Sequence, residues 1–87
     1  MGIDPGSARI GYGIIKGGKK LEIVDYGTIE IKRKKFDEAI LETSKRISYL
    51  INKHRPEIVG IEKIYFSKNI KTGIAVAQNR GAIIAEI

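Results

Sequence analysis

Short apolar stretches alternate with glycine-rich turns through the first third of the chain. An apolar run leads up to Asp4 and ends in a Pro-Gly turn, and residues 10–16 are rich in isoleucine and glycine. Residues 21–31 partly alternate apolar and polar side chains. The Gly17-Gly18 pair between two such runs favours a hairpin. The pattern predicts three strands in an antiparallel meander.

A helical pattern follows the densest charge run, residues 32–35. We expect Asp37 to cap this helix, a hydrophobic staple to join Phe36 and Leu41, and Pro56 to end it. The apolar stripe has helical spacing. Its members are Phe36, Ile40, Ile47, Leu50 and Ile51, with His54 as a helix-end cation.

Residues 57–66 form a nearly continuous apolar run, which predicts a fourth strand buried on both faces. The helix between the third and fourth strands allows a crossover, so the fourth strand is expected to run parallel to a neighbour. A second helix is predicted over residues 70–87. The class is therefore α/β.

The second predicted helix carries small residues at every fourth position. Such spacing places them on one face, where another element could approach the backbone closely. Because the helix is apolar nearly all round, we expect it to be buried on more than one side. The small residues are Gly73, Ala77, Gly81 and Ala85.

Composition limits what this chain can be. Its 87 residues allow one small domain, residues 1–87, and the absence of cysteine excludes disulfides and thiolate metal sites. No apolar stretch approaches the length needed to cross a membrane, so a cytoplasmic protein is expected. The formal net charge of +6 favours a polyanionic partner, nucleic acid before membrane.

The first candidate site lies where the first strand ends. A carboxylate at a strand end, here Asp4, can hold a divalent cation, and the glycine turn after it lets a phosphate approach the backbone. Ser7 and Arg9 could donate hydrogen bonds to that phosphate. The alternative is an ordinary Asp-Pro-Gly turn whose carboxylate is satisfied by nearby backbone.

A second acid, Glu62, interrupts the apolar fourth strand. A buried carboxylate needs a partner or a metal, whereas the alternative is that Glu62 faces solvent at a sheet edge. If the first and fourth strands are neighbours, Asp4 and Glu62 converge. Two hard oxygen ligands on rigid strands suit Mg²⁺ or Mn²⁺.

Aromatic and basic residues follow this acid. Tyr65 and Phe66 could stack on exposed bases, and Lys68 could hold a phosphate. The alternative is that one of the two rings fills the core. Lysines at the hairpin and in residues 32–35 could line a phosphate track, although a solvated side chain is the favoured interpretation for any one of them.

These residues resemble the RuvC family of Holliday-junction resolvases, and the resemblance covers essentially the whole chain. The opening motif also occurs in actin-like ATPases, whereas the second acidic strand and the helix after it make the match specific. The matching segments are residues 2–7, Arg9, residues 11–13, Ile61-Glu62, Phe66, Lys68-Asn69 and residues 77–81.

The resemblance implies an RNase H-like fold, a homodimer and Mg²⁺-dependent nicking of four-way DNA junctions, with Mn²⁺ as the alternative ion. Asp4 and Glu62 match the first two of the family's four metal-binding carboxylates, and Tyr65 matches the aromatic residue near opened bases. The small-residue helix face matches the dimer helix. The implied partners also include the branch-migration motor of the same pathway. The implied DNA contacts are Ser7, Arg9, Tyr65, Phe66, Lys68, Asn69 and Arg80.

The chain departs from the family in length and in one helix position. Family members are nearly twice as long, and their last two metal acids lie on a C-terminal helix that this chain lacks. We therefore expect a C-terminally truncated domain that nicks junctions poorly or not at all. Asn79 also stands where the family usually has alanine.

Other functions remain open at this point. One is a non-catalytic fragment that binds DNA and dimerises, for which the net charge and the aromatic pair would suffice. Another is the phosphate-binding lobe of an actin-like ATPase, although the further Asp-x-Gly sequence, residues 25–27, falls within the third predicted strand and not in a phosphate loop. A YqgF-type nuclease shares the opening motif but fits residues 62–81 less well.

Overall fold

The computed structural model describes residues 1–6, 8–32, 35–63 and 70–87, apart from the side chains of residues 36 and 70–73. These residues form one sheet and two helices, which confirms the predicted α/β class. In chain order the elements are β1 (Gly2–Asp4), β2 (Arg9–Lys16), β3 (Glu22–Glu30), α1 (Phe36–His54), β4 (Gly60–Ile61) and α2 (Ile70–Glu86).

The four strands of the sheet lie in the order β3-β2-β1-β4. β1 pairs antiparallel with β2, placing Ile3 opposite Tyr12, and β2 pairs antiparallel with β3. β4 lies on the other side of β1 and runs parallel to it, with Ile3 opposite Ile61. Because a parallel pair needs a long crossover, α1 makes this connection. The predicted meander with a parallel fourth strand is confirmed.

The core lies between one face of the sheet and the two helices. Successive side chains of a strand point to opposite faces, so each strand contributes alternate residues to it. Branched isoleucines suit this pleated surface. The buried cluster consists of Ile3, Ile10 and Ile29 from the strands, Ile47 and Leu50 from α1, and Ile83 from α2.

The opposite face of the sheet is open around β1. Gly2 pairs with Gly13 on one side and with Gly60 on the other. A methyl group added to any of these three glycines would meet no other atom within 4 Å. In the described part of the predicted strand, residues 57–63, the expected burial on both faces is therefore wrong, and Ile58, just before β4, is 78% exposed. Residues 64–66 of that prediction lie outside the described residues.

The ends of α1 differ in part from the sequence expectation. Lys35 is the N-cap, and Asp37 lies within the first turn, where its Oδ1 accepts a hydrogen bond from the Glu38 N–H. Leu41 is 59% exposed, and the side chain of Phe36, its predicted staple partner, lies outside the described part of the chain. At the other end, Arg55 adopts the left-handed conformation at φ 47° before Pro56, which confirms the predicted stop.

α2 ends close to the predicted boundary, and its buried side faces α1. Among the side chains of α2 that the structure describes, Asn79 and Ile83, one turn apart, are buried. Ala77 is half-buried, whereas Gly81 and Ala85 are exposed, so the described part of the small-residue face is largely uncovered. Within the described ranges, neither helix combines the length and apolarity needed to cross a membrane.

A Tyr–Asp–His cluster joins the end of α1 to the sheet. The Tyr12 hydroxyl lies 3.5 Å from Asp25 Oδ2, and His54 Nε2 lies 3.1 Å from the same oxygen. Gly27 lies opposite Tyr12 in the sheet, where a Cβ would come within 3.2 Å of the hydroxyl. Burial, followed by the charge and hydrogen bond of Asp25, raises the pKa of Tyr12 above its usual value.

This shift predicts a loss of stability at alkaline pH that depends on Tyr12. A group whose pKa is higher in the folded state stabilises the fold below its unfolded pKa, and the contribution disappears as pH rises through the folded pKa. The free energy of unfolding of the wild type should therefore fall more steeply above about pH 10 than that of Tyr12→Phe. Denaturant titrations between pH 8 and pH 11.5, values spanning that tyrosine pKa, measure the difference.

The matched control is Tyr26→Phe, because Tyr26 is 74% exposed. Its stability should follow the wild-type curve throughout. Parallel curves for wild type and Tyr12→Phe would show that Tyr12 is not linked to folding.

Candidate metal and nucleic-acid site

Asp4 and Glu62 lie at corresponding ends of the neighbouring parallel strands β1 and β4. The register pairs Gly2 with Gly60 and Ile3 with Ile61, so the two acids are the next residues along each chain. The Glu62 N–H donates a hydrogen bond of 3.1 Å to the Ile3 carbonyl, which extends the pairing past the last assigned strand residue. The predicted convergence of these strands is therefore present in the backbone.

Both acids belong to the open face of the sheet. Asp4 follows the buried Ile3 and pairs with Gly11, and a Cβ on that glycine would lie 3.5 Å from the Asp4 Cβ. That distance is an ordinary van der Waals contact, so Gly11 lies directly beside the Asp4 side chain. Glu62 is likewise exposed, so solvent and ligands can reach both side chains.

The two carboxyl groups are close enough to interact directly. A hydrogen bond with Asp4, followed by the charge of Asp4 and a smaller effect of desolvation, raises the pKa of Glu62 above its usual value. Like charges held this close disfavour double ionisation, so a proton shared between them, or a cation, relieves the repulsion. The pair therefore has the electrostatic character of a cation site.

The turn after Asp4 is fixed by its backbone. A Cβ on Gly6 would collide with the carbonyl oxygen of Arg9, so this position requires glycine. The Ile31 N–H donates a 2.8 Å hydrogen bond to the Ala8 carbonyl, tying the turn to the end of β3. The glycine turn expected from the sequence thus has a steric reason.

Helix α2 holds both acidic segments through consecutive residues. The Asn79 side-chain amide donates a 2.9 Å hydrogen bond to the Gly6 carbonyl. Arg80 Nε donates a 3.0 Å hydrogen bond to the Glu62 carbonyl. From the sequence alone, Arg80 is predicted to contact DNA and Asn79 has no predicted role, although a polar residue inside an apolar helix is a usable signal.

The remaining predicted residues are distributed as follows. The side chain of Arg9 is 77% exposed, and its Nε lies 3.9 Å from Glu30 Oε1, a long distance for an ion pair. The guanidinium is therefore accessible to a phosphate. In the described part of the chain, no group of three or more His, Cys, Asp or Glu side chains could hold a metal ion. The predicted contacts that lie outside the described residues are Ser7, Tyr65, Phe66, Lys68 and Asn69.

Comparison with known sequences gives one family. The family model described as "Crossover junction endodeoxyribonuclease RuvC" matches residues 1–87. The RuvC protein of Ruminiclostridium cellulolyticum is 42% identical over 86 residues, covering 97% of this chain and 52% of that protein. The one from Fusobacterium nucleatum is 44% identical over 86 residues, covering 97% and 45%. The chain thus spans about half the length of these curated relatives.

Solved structures give the same fold. A Thermus thermophilus RuvC in complex with a Holliday junction substrate matches with a TM-score of 0.86 and 20% identity, covering 98% of this chain and 56% of that one. A second T. thermophilus RuvC structure matches with a TM-score of 0.80 and 23% identity, covering 98% and 54%. The RNase H-like fold implied by the sequence resemblance is confirmed.

The raised pKa of Glu62 predicts that removing its charge stabilises the fold near neutral pH. Protonated Glu62 stabilises the folded wild type relative to the unfolded chain, and this stabilising contribution is lost as pH rises through the pKa of Glu62 in the folded state. Glu62→Gln should therefore melt at a higher temperature than the wild type at pH 7. The gain should vanish near pH 4, about the ordinary glutamate pKa.

Thermal unfolding in metal-free buffer between those pH values measures the effect. Asp4→Asn should give a similar gain, because it removes the other half of the repulsion. Glu57→Gln serves as the control, since it removes an exposed glutamate charge outside the pair. A gain that is the same at both pH values would contradict the explanation by charge repulsion.

Proposed function

Because this chain belongs to the RuvC family of crossover junction endodeoxyribonucleases, we propose that its protein nicks four-way DNA junctions in recombination and repair, using a divalent cation held by Asp4 and Glu62. The observation that supports this most is the register that places Asp4 and Glu62 side by side at the open ends of β1 and β4, together with the raised pKa of Glu62 beside Asp4. Mg²⁺ is the proposed ion, and Mn²⁺ could replace it.

The two acids suit such an ion chemically. Carboxylate oxygens are the ligands Mg²⁺ prefers, and one or two of them, together with substrate phosphates, are a common set. A divalent cation bound there would activate water and stabilise in-line displacement at phosphorus. Asp4 and Glu62 must both be deprotonated to bind it, so protons compete with the metal at the carboxyl pair.

Basic residues would bring the DNA to these acids. The net charge of +6 supports a polyanionic substrate, and the exposed Arg9 guanidinium, five residues after Asp4, is placed to hold a phosphate. Arg80 is proposed to contact DNA as well as the Glu62 backbone. The other proposed contacts are Ser7, Tyr65, Phe66, Lys68 and Asn69, on the strength of the family resemblance.

The proposal predicts that Mg²⁺ strengthens binding to a four-way junction through the carboxyl pair. The cation would reduce the repulsion between two carboxylates and an approaching phosphate, so wild-type affinity should rise with Mg²⁺ by about tenfold, a typical coupling between two ligands. The rise should be absent in Asp4→Asn and in Glu62→Gln. Fluorescence anisotropy with a labelled synthetic junction, and with a linear duplex of equal length, measures it.

Nicking of the same junction is followed on denaturing gels. Any nicking should require Mg²⁺, favour the junction over the duplex and be lost in Asp4→Asn. Glu57→Gln should behave as wild type in both assays. Junction binding that is indifferent to Mg²⁺ and equal in all variants would leave the non-catalytic DNA-binding alternative instead.

We also propose that the protein is a homodimer joined through α2. Ile74 and Ile84 are exposed on this helix, at spacings that place them beside the small residues Ala77 and Gly81. An exposed apolar stripe with small residues at its centre permits close packing of two helices. Gly73 and Ala85 extend the proposed stripe in either direction.

The dimer proposal predicts a solution mass twice that of one chain, which light scattering after size exclusion measures. Ala77→Glu should give a monomer, because it places a charge in the middle of the apolar contact. Leu41→Glu places the same charge on an exposed apolar position of α1 and should leave the mass unchanged. A monomeric wild type, or an Ala77→Glu dimer, would contradict the assignment.

A further inference from the structure

Two consecutive residues of α2 bind the backbones of the two acidic segments. Asn79 Nδ2 lies 2.9 Å from the carbonyl oxygen of Gly6, two residues after Asp4. Arg80 Nε lies 3.0 Å from the carbonyl oxygen of Glu62 itself. One rigid element therefore contacts the β1–β2 turn and the end of β4 simultaneously.

The side-chain amide of Asn79 is buried and makes hydrogen bonds through both its nitrogen and its oxygen. It is 3% exposed, and its Oδ1 lies 3.4 Å from the hydroxyl of Thr43, which is fully buried on α1. A carbonyl only accepts hydrogen bonds, so the amide nitrogen must face Gly6. The oxygen then faces Thr43, whose hydroxyl donates to it. This orientation satisfies both polar ends of the amide inside the protein.

On its far side the turn is held by other contacts. Gly6 is packed against the Arg9 carbonyl, and Ala8 is bonded to Ile31 beyond it. The contact from Asn79 supports the side of the turn nearest Asp4. Arg80, the next residue of the same helix, binds the Glu62 carbonyl. A movement of the turn relative to α2 therefore changes the position of the turn relative to Glu62.

We propose that Asn79 is a positioning residue, which, supported by Thr43, holds the turn after Asp4 at a fixed distance from Glu62. The inference rests on the proposed function insofar as the fixed pair of carboxylates is a cation site. Asn79 itself reaches neither the cation nor the DNA in this role. A buried amide that only stabilised the fold would make the same two hydrogen bonds, so the test must separate geometry from stability.

The test compares Asn79→Ala with Ile83→Val in the 87-residue chain. Ile83 is buried one turn further along α2, so its truncation weakens the same helix without removing a contact to the turn. Mn²⁺ affinity is measured by electron paramagnetic resonance. We expect about tenfold weaker binding in Asn79→Ala and wild-type affinity in Ile83→Val.

Amide hydrogen exchange provides the second readout, and it needs no metal. The Ile31 amide, bonded to Ala8, and the Glu62 amide, bonded to Ile3, report on the two segments. The Arg55 amide, bonded to Ile51 at the far end of α1, is the internal reference. In Asn79→Ala the Ile31 amide should exchange at least severalfold faster relative to Arg55, and in Ile83→Val the ratio should be unchanged.

Thr43→Val is the second variant, which keeps the amide of Asn79 and removes its support. It should change both readouts in the same direction by less, and it decides the question if Asn79→Ala does not fold. Unchanged Mn²⁺ affinity and an unchanged exchange ratio in the folded variants would overturn the positioning role. A wild type that binds no Mn²⁺ would refute the cation site alone, because the exchange ratio still tests the positioning.

Discussion

The parallel pairing of β1 with β4 is the constraint on which the site depends. The pairing extends only from the Gly2–Gly60 pair to the hydrogen bond between Glu62 and Ile3. It nevertheless places two acids from distant parts of the chain side by side. The pairing is itself held by the core, because Ile3 is buried among residues of both helices. The energy of core burial thus maintains a carboxyl pair that electrostatics alone would separate.

The arrangement of the two sheet faces follows from the same pairing. The face that carries Ile3 and Ile10 is covered by α1 and α2, whereas the face that carries Asp4 is lined near β1 by glycines. Glycines weaken a strand, since they provide no side chain to pack. Here they leave space beside the carboxylates. Under the proposed function, a DNA backbone bound there would contact main-chain atoms instead of side chains.

The sequence predicted those features that depend on local pattern. The meander, the two helices and the family follow from apolar runs, the Gly-Gly hairpin and two motifs, and the comparisons confirm the family and the fold. From the sequence, Glu62 is expected either to face solvent at an edge of the sheet or to converge with Asp4. In the structure Glu62 is exposed and also lies beside Asp4. Asp37 was wrongly assigned as the cap of α1, because capping patterns are short and easily displaced by one or two residues.

Tertiary hydrogen bonds were beyond the reach of such patterns. Asn79 and Gly6 are 73 residues apart, and Asp25 and His54 are 29 apart, so no spacing rule connects them. Thr43 occupies the same helical stripe as Ile47 and Leu50, but a hydroxyl in a stripe gives no indication of its partner. Such contacts become visible only when helix packing is known.

The small number of acids links metal binding to DNA binding under the proposed function. Two exposed carboxylates leave most of the coordination sphere of Mg²⁺ to water and to other ligands, and a phosphate of the bound strand is the natural addition. A cation that binds better when DNA is present must, by linkage, make DNA bind better when the cation is present. The hydrogen bond with Asp4, followed by the charge of Asp4, raises the pKa of Glu62. The repulsive part acts in the same sense as the linkage, because it disfavours the empty, doubly charged pair and so increases the advantage of forming the complete site.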